Sequence, residues 1–255
     1  MLAEEVRVTA ARKLAGRLRF AHYPLRKTPA EFDLSFQPSI DPAVISELST
    51  LRFVEERRNV LLLGPPGVRK THLAIALGIA ATEAGYRTFF TSAQDLVRSL
   101  AFAHLDGTVR SKIRTYTGPS VLVVDEVGYL PMDQASAHWF FEVVSRRYER
   151  GSIVLTSNRG FAEWGQVFSD TVVAAAILDR LLHHATVLNV RGNSYRMRAH
   201  DATLERERRE NDPQDSQRSD LIGPHNRSPS LAAPPPDKTR RARPNRLRKE
   251  EAPML

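Results

Sequence analysis

Eight consecutive residues of this chain carry the clearest chemistry: Gly64-Pro65-Pro66-Gly67-Val68-Arg69-Lys70-Thr71, with His72 directly after them. They fill seven of the eight slots of the pattern G-x-x-x-x-G-K-[ST]; the slot before the lysine, where the pattern has glycine, holds Arg69. Such a loop binds phosphate when it joins a buried strand to the start of a helix. Its backbone N–H groups converge on phosphate oxygens, and the helix dipole favours the negative charge. At this spacing Lys70 reaches the β- and γ-phosphates and Thr71 offers its hydroxyl to Mg²⁺. The competing reading is an ordinary glycine-rich turn.

Further polar residues end apolar runs. SVLVVDE closes on Asp125-Glu126. Two carboxylates at the end of a buried strand cost desolvation unless a cation offsets it. Beside a phosphate loop, Asp125 is placed to hold Mg²⁺ through water and Glu126 to polarise an attacking water. A solvated strand end is the plainer alternative. IVLTSN ends on Asn158, whose amide suits a γ-phosphate or a lytic water; alone, a strand-end asparagine is usually a turn former. Arg180, in ILDRLLHH, lies on a predicted helix, where an arginine is ordinarily a solvated charge.

The elements that must hold these residues alternate. Apolar runs at 60–63, 87–91, 120–125, 152–158 and 185–190 are separated by helical patterns at 70–84, 93–101, 134–150 and 172–183. Near-continuous apolar strands between helices predict a five-stranded parallel sheet covered on both faces, an α/β domain over residues 58–200. Residues 1–57 read as a helical, basic region. From Arg7 to Lys27 there are seven basic residues and no acidic one, and Leu14, Leu18 and Ala21 or His22 recur at helical spacing. This predicts a basic amphipathic helix ending near Pro24, with Arg12, Lys13, Arg17 and Arg19 as candidate DNA contacts. A second helix is predicted from Asp41-Pro42, carrying Val44, Ile45, Leu48, Leu51 and Val54 on one face. Residues 201–255 hold half of the 16 prolines and no apolar periodicity; a disordered tail is expected there.

Composition narrows the partners. The chain has 255 residues, 42% apolar, and a net charge of +8, which favours an anionic partner and nucleic acid before membrane. Without cysteine, disulfides, thiolate metal sites and thiol nucleophiles are excluded. No apolar run approaches the roughly 18 residues of a membrane span, and no secretory signal is visible. A cytoplasmic protein is expected.

Taken in order, these pieces resemble the AAA+ ATPases. GPPGVRKTHLAIALG, the GYLP that follows the acidic pair, TSNRGFAEWG and LDRLLHH together resemble, more narrowly, the IstB-like family of insertion-sequence ATP-binding proteins and their relatives, the DnaC-type helicase loaders. The resemblance runs from about Pro24 to Arg198. It implies an AAA+ P-loop fold, ATP and Mg²⁺ as cofactors, oligomerisation on duplex DNA, and cooperation with a transposase. By position it puts the Walker A residues at Lys70 and Thr71, the Walker B pair at Asp125 and Glu126, sensor 1 at Asn158, an arginine finger at Arg180 that serves a neighbouring subunit, and a second phosphate sensor at Arg196. Three departures stand out: Arg69, a short N-terminal region, and a tail without counterpart. They fit a degenerate copy with impaired hydrolysis, which stays open beside the transposition helper and the helicase loader.

At Arg69 the pattern's glycine allows a left-handed backbone, which costs another residue roughly 1–2 kcal/mol. Either the arginine bears that strain and the loop keeps its shape, or the loop shifts and misplaces Lys70. The expectation is weakened nucleotide binding and strongly reduced hydrolysis.

Overall fold

The computed structural model describes residues 2–24 and 40–191, all within one compact unit, Met1–Glu207. The predicted tail and Arg196 lie outside the described residues. Helix α1 (Leu2–Ala21) comes first, then α2 (Pro42–Ser49) and α3 (Arg52–Glu55). Strand β1 (Asn59–Leu63) leads into α4 (Lys70–Glu83), and β2 (Thr88–Ser92) into α5 (Ala93–Leu105) and α6 (Val109–Thr117). Next are β3 (Val121–Val127), α7 (Gln134–Arg147), β4 (Ser152–Ser157), a 3₁₀ turn at Phe161–Glu163 with α8 (Trp164–Val167), α9 (Thr171–Leu182) and β5 (Ala185–Asn189).

The five strands form one parallel sheet in the order β2-β3-β4-β1-β5. Their side chains alternate between two cores. Leu61, Leu122, Val124, Ile153 and Leu155 pack under α5 to α9. Val60, Leu62, Val121, Val123 and Val154 pack under α2, α3 and α4. Burial on both faces explains why β1, β3 and β4 are largely apolar, whereas the edge strands β2 and β5 are more polar and partly exposed. Because every pairing is parallel, every loop leaving a C-terminal strand end opens on the same edge of the sheet, where ligands bind in open α/β folds.

Two predicted helices are corrected. The second is not continuous. Asp41 caps α2 as expected, accepting from the Ala43 N–H at 2.8 Å, but Leu51 turns left-handed at φ 62 and restarts the chain as α3. The break lets both Leu51 and Phe53 reach the core. The basic helix ends at Ala21, three residues before Pro24, because His22 takes φ 56. That turn lays Phe20, His22 and Tyr23 on the nucleotide domain. Phe20 and His22 meet the Phe89 ring, and Tyr23 meets Phe90 and donates to Thr88 Oγ1 at 2.7 Å. A Cβ at Gly78 would stand 2.5 Å from the Tyr23 hydroxyl, so glycine in α4 is what lets Tyr23 cross it.

Candidate functional site

The loop from Gly64 to Arg69 leaves β1 and enters α4 directly. Gly64 adopts φ 148, and a Cβ there would lie 2.1 Å from the Val190 carbonyl oxygen. Nothing larger than glycine allows β1 and the end of β5 to close together at this point. Gly67 follows at φ 84. Arg69 is the N-cap position of α4 at φ 65, ψ 21, the left-handed conformation that glycine would supply without strain. The two residues that follow it begin α4. Lys70, 9% exposed, donates from Nζ to the carbonyls of Gly64 at 2.7 Å and Pro65 at 2.8 Å. Thr71 donates to Asp125 Oδ1 at 2.9 Å. Val68 is buried, Pro65 and Pro66 are exposed, and His72 lies half-buried on the first turn of α4.

Asp125, 6% exposed, ends the apolar run of β3. Its Oδ1 also accepts from the Thr156 hydroxyl. Directly after it the β3–β4 register slips between Val124 and Val127. Glu126 takes φ 62 there, its N–H donating to Thr156 Oγ1 at 3.0 Å. This bulge turns the Glu126 side chain out to solvent at the strand end while Asp125 stays in. Thr156 therefore binds both members of the acidic pair and fixes the bulge. It is the residue that sequence reasoning missed. A threonine in a β-rich run reads as strand propensity, and only the pairing of β4 with β3 reveals its partners.

Asn158, just past β4, is half-buried, and its Oδ1 has no hydrogen-bond partner among the described residues. It lines a cavity of about 460 Å³ with Gly64, Pro65, Asn189, Val190 and Arg191. Buried polar atoms are nearly always paired, so an orphaned oxygen on a residue that lines this cavity makes Asn158 a candidate contact for a polar ligand or its water. The loop, Lys70, Thr71, Asp125, Glu126 and Asn158 thus share one edge of the sheet. The oxygen donors of Thr71 and Asp125 match the hard ligands Mg²⁺ prefers, and the glycine-cradled loop at the start of α4 matches a phosphate chain.

Arg180 does not join them. Its guanidinium lies 4.8 Å over the Phe141 ring and donates to the Ala176 carbonyl at 3.0 Å. The end of α9 is tied to the start of β1, with Asn59 Nδ2 donating to the Leu181 carbonyl at 2.9 Å. The length of β1, about 16 Å at 3.3 Å per residue, lies between that end and the phosphate loop. On α1, Arg12, Lys13 and Arg19 are exposed and Arg17 is half-buried. At about 100° per residue, Arg12 and Arg19 share one side of the helix, and Lys13 with Arg17 another roughly 130° away. The four are two pairs, not one stripe.

A parallel five-stranded sheet with a phosphate loop after β1, an acidic strand end on β3 and a polar residue after β4 defines a P-loop α/β protein of the AAA+ class. The sequence model of the IstB-like ATP binding proteins matches residues 1–203, and the chain belongs to that family. The match starts well before Pro24, so α1 is inside the family region. An insertion sequence IS5376 putative ATP-binding protein of Geobacillus stearothermophilus is 46% identical over 198 residues, covering 78% of this chain and 79% of its own. The insertion sequence IS21 putative ATP-binding protein of Pseudomonas aeruginosa is 50% identical over 187 residues, covering 73% and 71%. Among solved structures, DnaI superposes with a TM-score of 0.54 at 20% identity, covering 66% of this chain and 90% of that one; the likeness is one of fold. No helix among the described residues is long and apolar enough to cross a membrane.

Proposed function

We propose that this chain is an ATP-binding protein of an insertion sequence that binds duplex DNA as a homo-oligomer and assists a transposase in the cytoplasm. The observation that carries the nucleotide part is the Lys70–Thr71–Asp125–Asn158 constellation on one sheet edge. In this reading the loop amides from Gly67 to Thr71 at the start of α4 hold the phosphates of ATP, with Lys70 exchanging the loop carbonyls for phosphate oxygens. Thr71 and Asp125 hold Mg²⁺. Bound Mg²⁺ supplies charge neutralisation for phosphoryl transfer. Glu126, turned outward by the bulge, polarises the attacking water, and Asn158 orients it. Residues 58–200 form the nucleotide-binding part, residues 1–57 the DNA-contacting part, and residues 201–255 a tail. The insertion-sequence relatives support the transposition reading over a helicase loader.

Calorimetry with Mg-ATP tests the site. Lys70→Ala is expected to abolish the binding that the wild-type chain shows. Equal affinities for the two proteins would move the nucleotide away from this loop.

A further inference from the structure

A second feature of the molecule gathers cations around an opening. At the junction of α1 with the turn between α4 and β2, Lys13, Arg17 and Arg87 line a cavity of about 490 Å³ with Gly16, Phe20 and Gly85. No acidic residue among the described residues lines it. Among the described residues, none of the three cations is held in an ion pair. Arg17 Nε is buried and has no hydrogen-bond partner among them. Gathering like charges around one opening costs free energy that an anion would recover. The rest of the groove is prepared for one. The Arg87 guanidinium lies 4.8 Å over the Phe20 ring, which fixes its plane and leaves its edge for hydrogen bonds. Gly16 and Gly85 leave the floor open: a Cβ built on either meets no atom within 4 Å.

We propose that this groove is a phosphodiester clamp, in which Lys13, Arg17 and Arg87 hold a backbone phosphate of duplex DNA across the seam between α1 and the nucleotide domain. This rests on the DNA-binding reading above and changes its geometry. The contact is not a stripe along α1. It is composite, and it needs Arg87, which directly precedes β2 and whose carbonyl accepts from the Val121 N–H at 3.2 Å. Planar guanidinium forks suit the paired oxygens of a phosphate, and a groove with an open glycine floor admits a chain that passes through it. Because Gly85 lies just past the Ala84 C-cap of α4, whose other end starts at Lys70, phosphate loop and clamp sit at opposite ends of one helix about 21 Å long.

The test uses the full chain, a fluorescent duplex of arbitrary sequence and a salt titration. Gly16→Glu places a carboxylate in the groove at a helical position with room for it, and it raises helix propensity, so its melting temperature should equal or exceed that of the wild type. It is expected to weaken duplex binding by about tenfold or more and to flatten the salt slope by about 1, one released phosphate contact. Arg87→Gln is expected to weaken binding by about three- to tenfold, and Arg87→Lys to restore part of it. If the wild type binds duplex but both Gly16→Glu and Arg87→Gln leave affinity and slope unchanged, the clamp is wrong and duplex binding stands. If the wild type binds no duplex at low salt, both fall. Saturable binding of inorganic phosphate that Gly16→Glu abolishes, with the duplex slope unmoved, would make the groove a free-phosphate site and overturn the clamp.

Discussion

Arg69 bears a left-handed backbone at φ 65 in a slot where the loop pattern has glycine. The strain, roughly 1–2 kcal/mol, is local. Next to it, Lys70 reaches the Gly64 and Pro65 carbonyls and Thr71 reaches Asp125 Oδ1. Two consequences separate. Ground-state strain raises the free energy of the folded protein, and Arg69→Gly should relieve it, raising the melting temperature by a few degrees, about 2–4 °C per kcal/mol. Hydrolysis depends on placement, where about 1 Å costs roughly 100-fold. Steady-state ATPase activity of Arg69→Gly should therefore rise by about tenfold or more if the side chain also perturbs the phosphates. A stabilised variant with an unchanged rate would confine the effect of Arg69 to folding. At this scale the sequence was legible where polar residues end apolar runs, as at Asp125 and Asn158. It was silent on Thr156, because a hydroxyl's partners depend on which strand lies beside it.

Strands and the phosphate-loop helix were readable because burial on both faces forces unbroken apolar runs and because the loop motif dictates a helix start. α6 was not. Its residues, VRSKIRTYT, are mostly polar, and it buries only Ile113 and Tyr116, too little periodicity to stand out from loop. The element contacts that lock this region are equally hidden. Arg147, the last residue of α7, is 1% exposed and donates to four carbonyls: Tyr116 and Pro119 from NH1, Ser120 and Ser152 from NH2. It ties the end of α6 to the starts of β3 and β4, the strands that carry Asp125 and Thr156. Burial pulls its pKa down to about 9, which still leaves the cation charged at pH 7, paired with carbonyl dipoles in place of an acid. Arg147→Met would keep much of the volume and strand four acceptors in a dry site. Each lost partner costs about 1–3 kcal/mol where water cannot replace it. With partial relaxation we expect a net loss of about 3–5 kcal/mol, measured as a lower urea midpoint at unchanged slope. A midpoint equal to the wild type would mean that water reaches these carbonyls. In the sequence Arg147 lies in the run SRRYER, which reads as a solvated charge cluster.

At the scale of the molecule, the nucleotide edge of the sheet holds Lys70, Thr71, Asp125, Glu126 and Asn158, and Arg180 is not among them. Arg180 sits at the other end of β1, stacked on Phe141. A cation there can serve phosphoryl transfer only by reaching the site of another copy, which requires a head-to-tail interface between unlike faces. This gives the proposed homo-oligomer a test that one chain cannot pass alone. Arg180→Ala should bind Mg-ATP like the wild type and lose DNA-stimulated hydrolysis, as should Glu126→Gln. Mixed in equal amounts, the two variants form some interfaces in which an intact Glu126 from one copy faces an intact Arg180 from the next. Random head-to-tail assembly makes that fraction about one quarter, so roughly a quarter of wild-type turnover should return on mixing. Recovery requires both variants to assemble, which sedimentation on duplex DNA would verify. If both assemble and the mixture stays inactive, Arg180 does not act across the interface. Its stack on Phe141 is then a packing contact of α9 against α7, and a loss of hydrolysis in Arg180→Ala would trace to that packing.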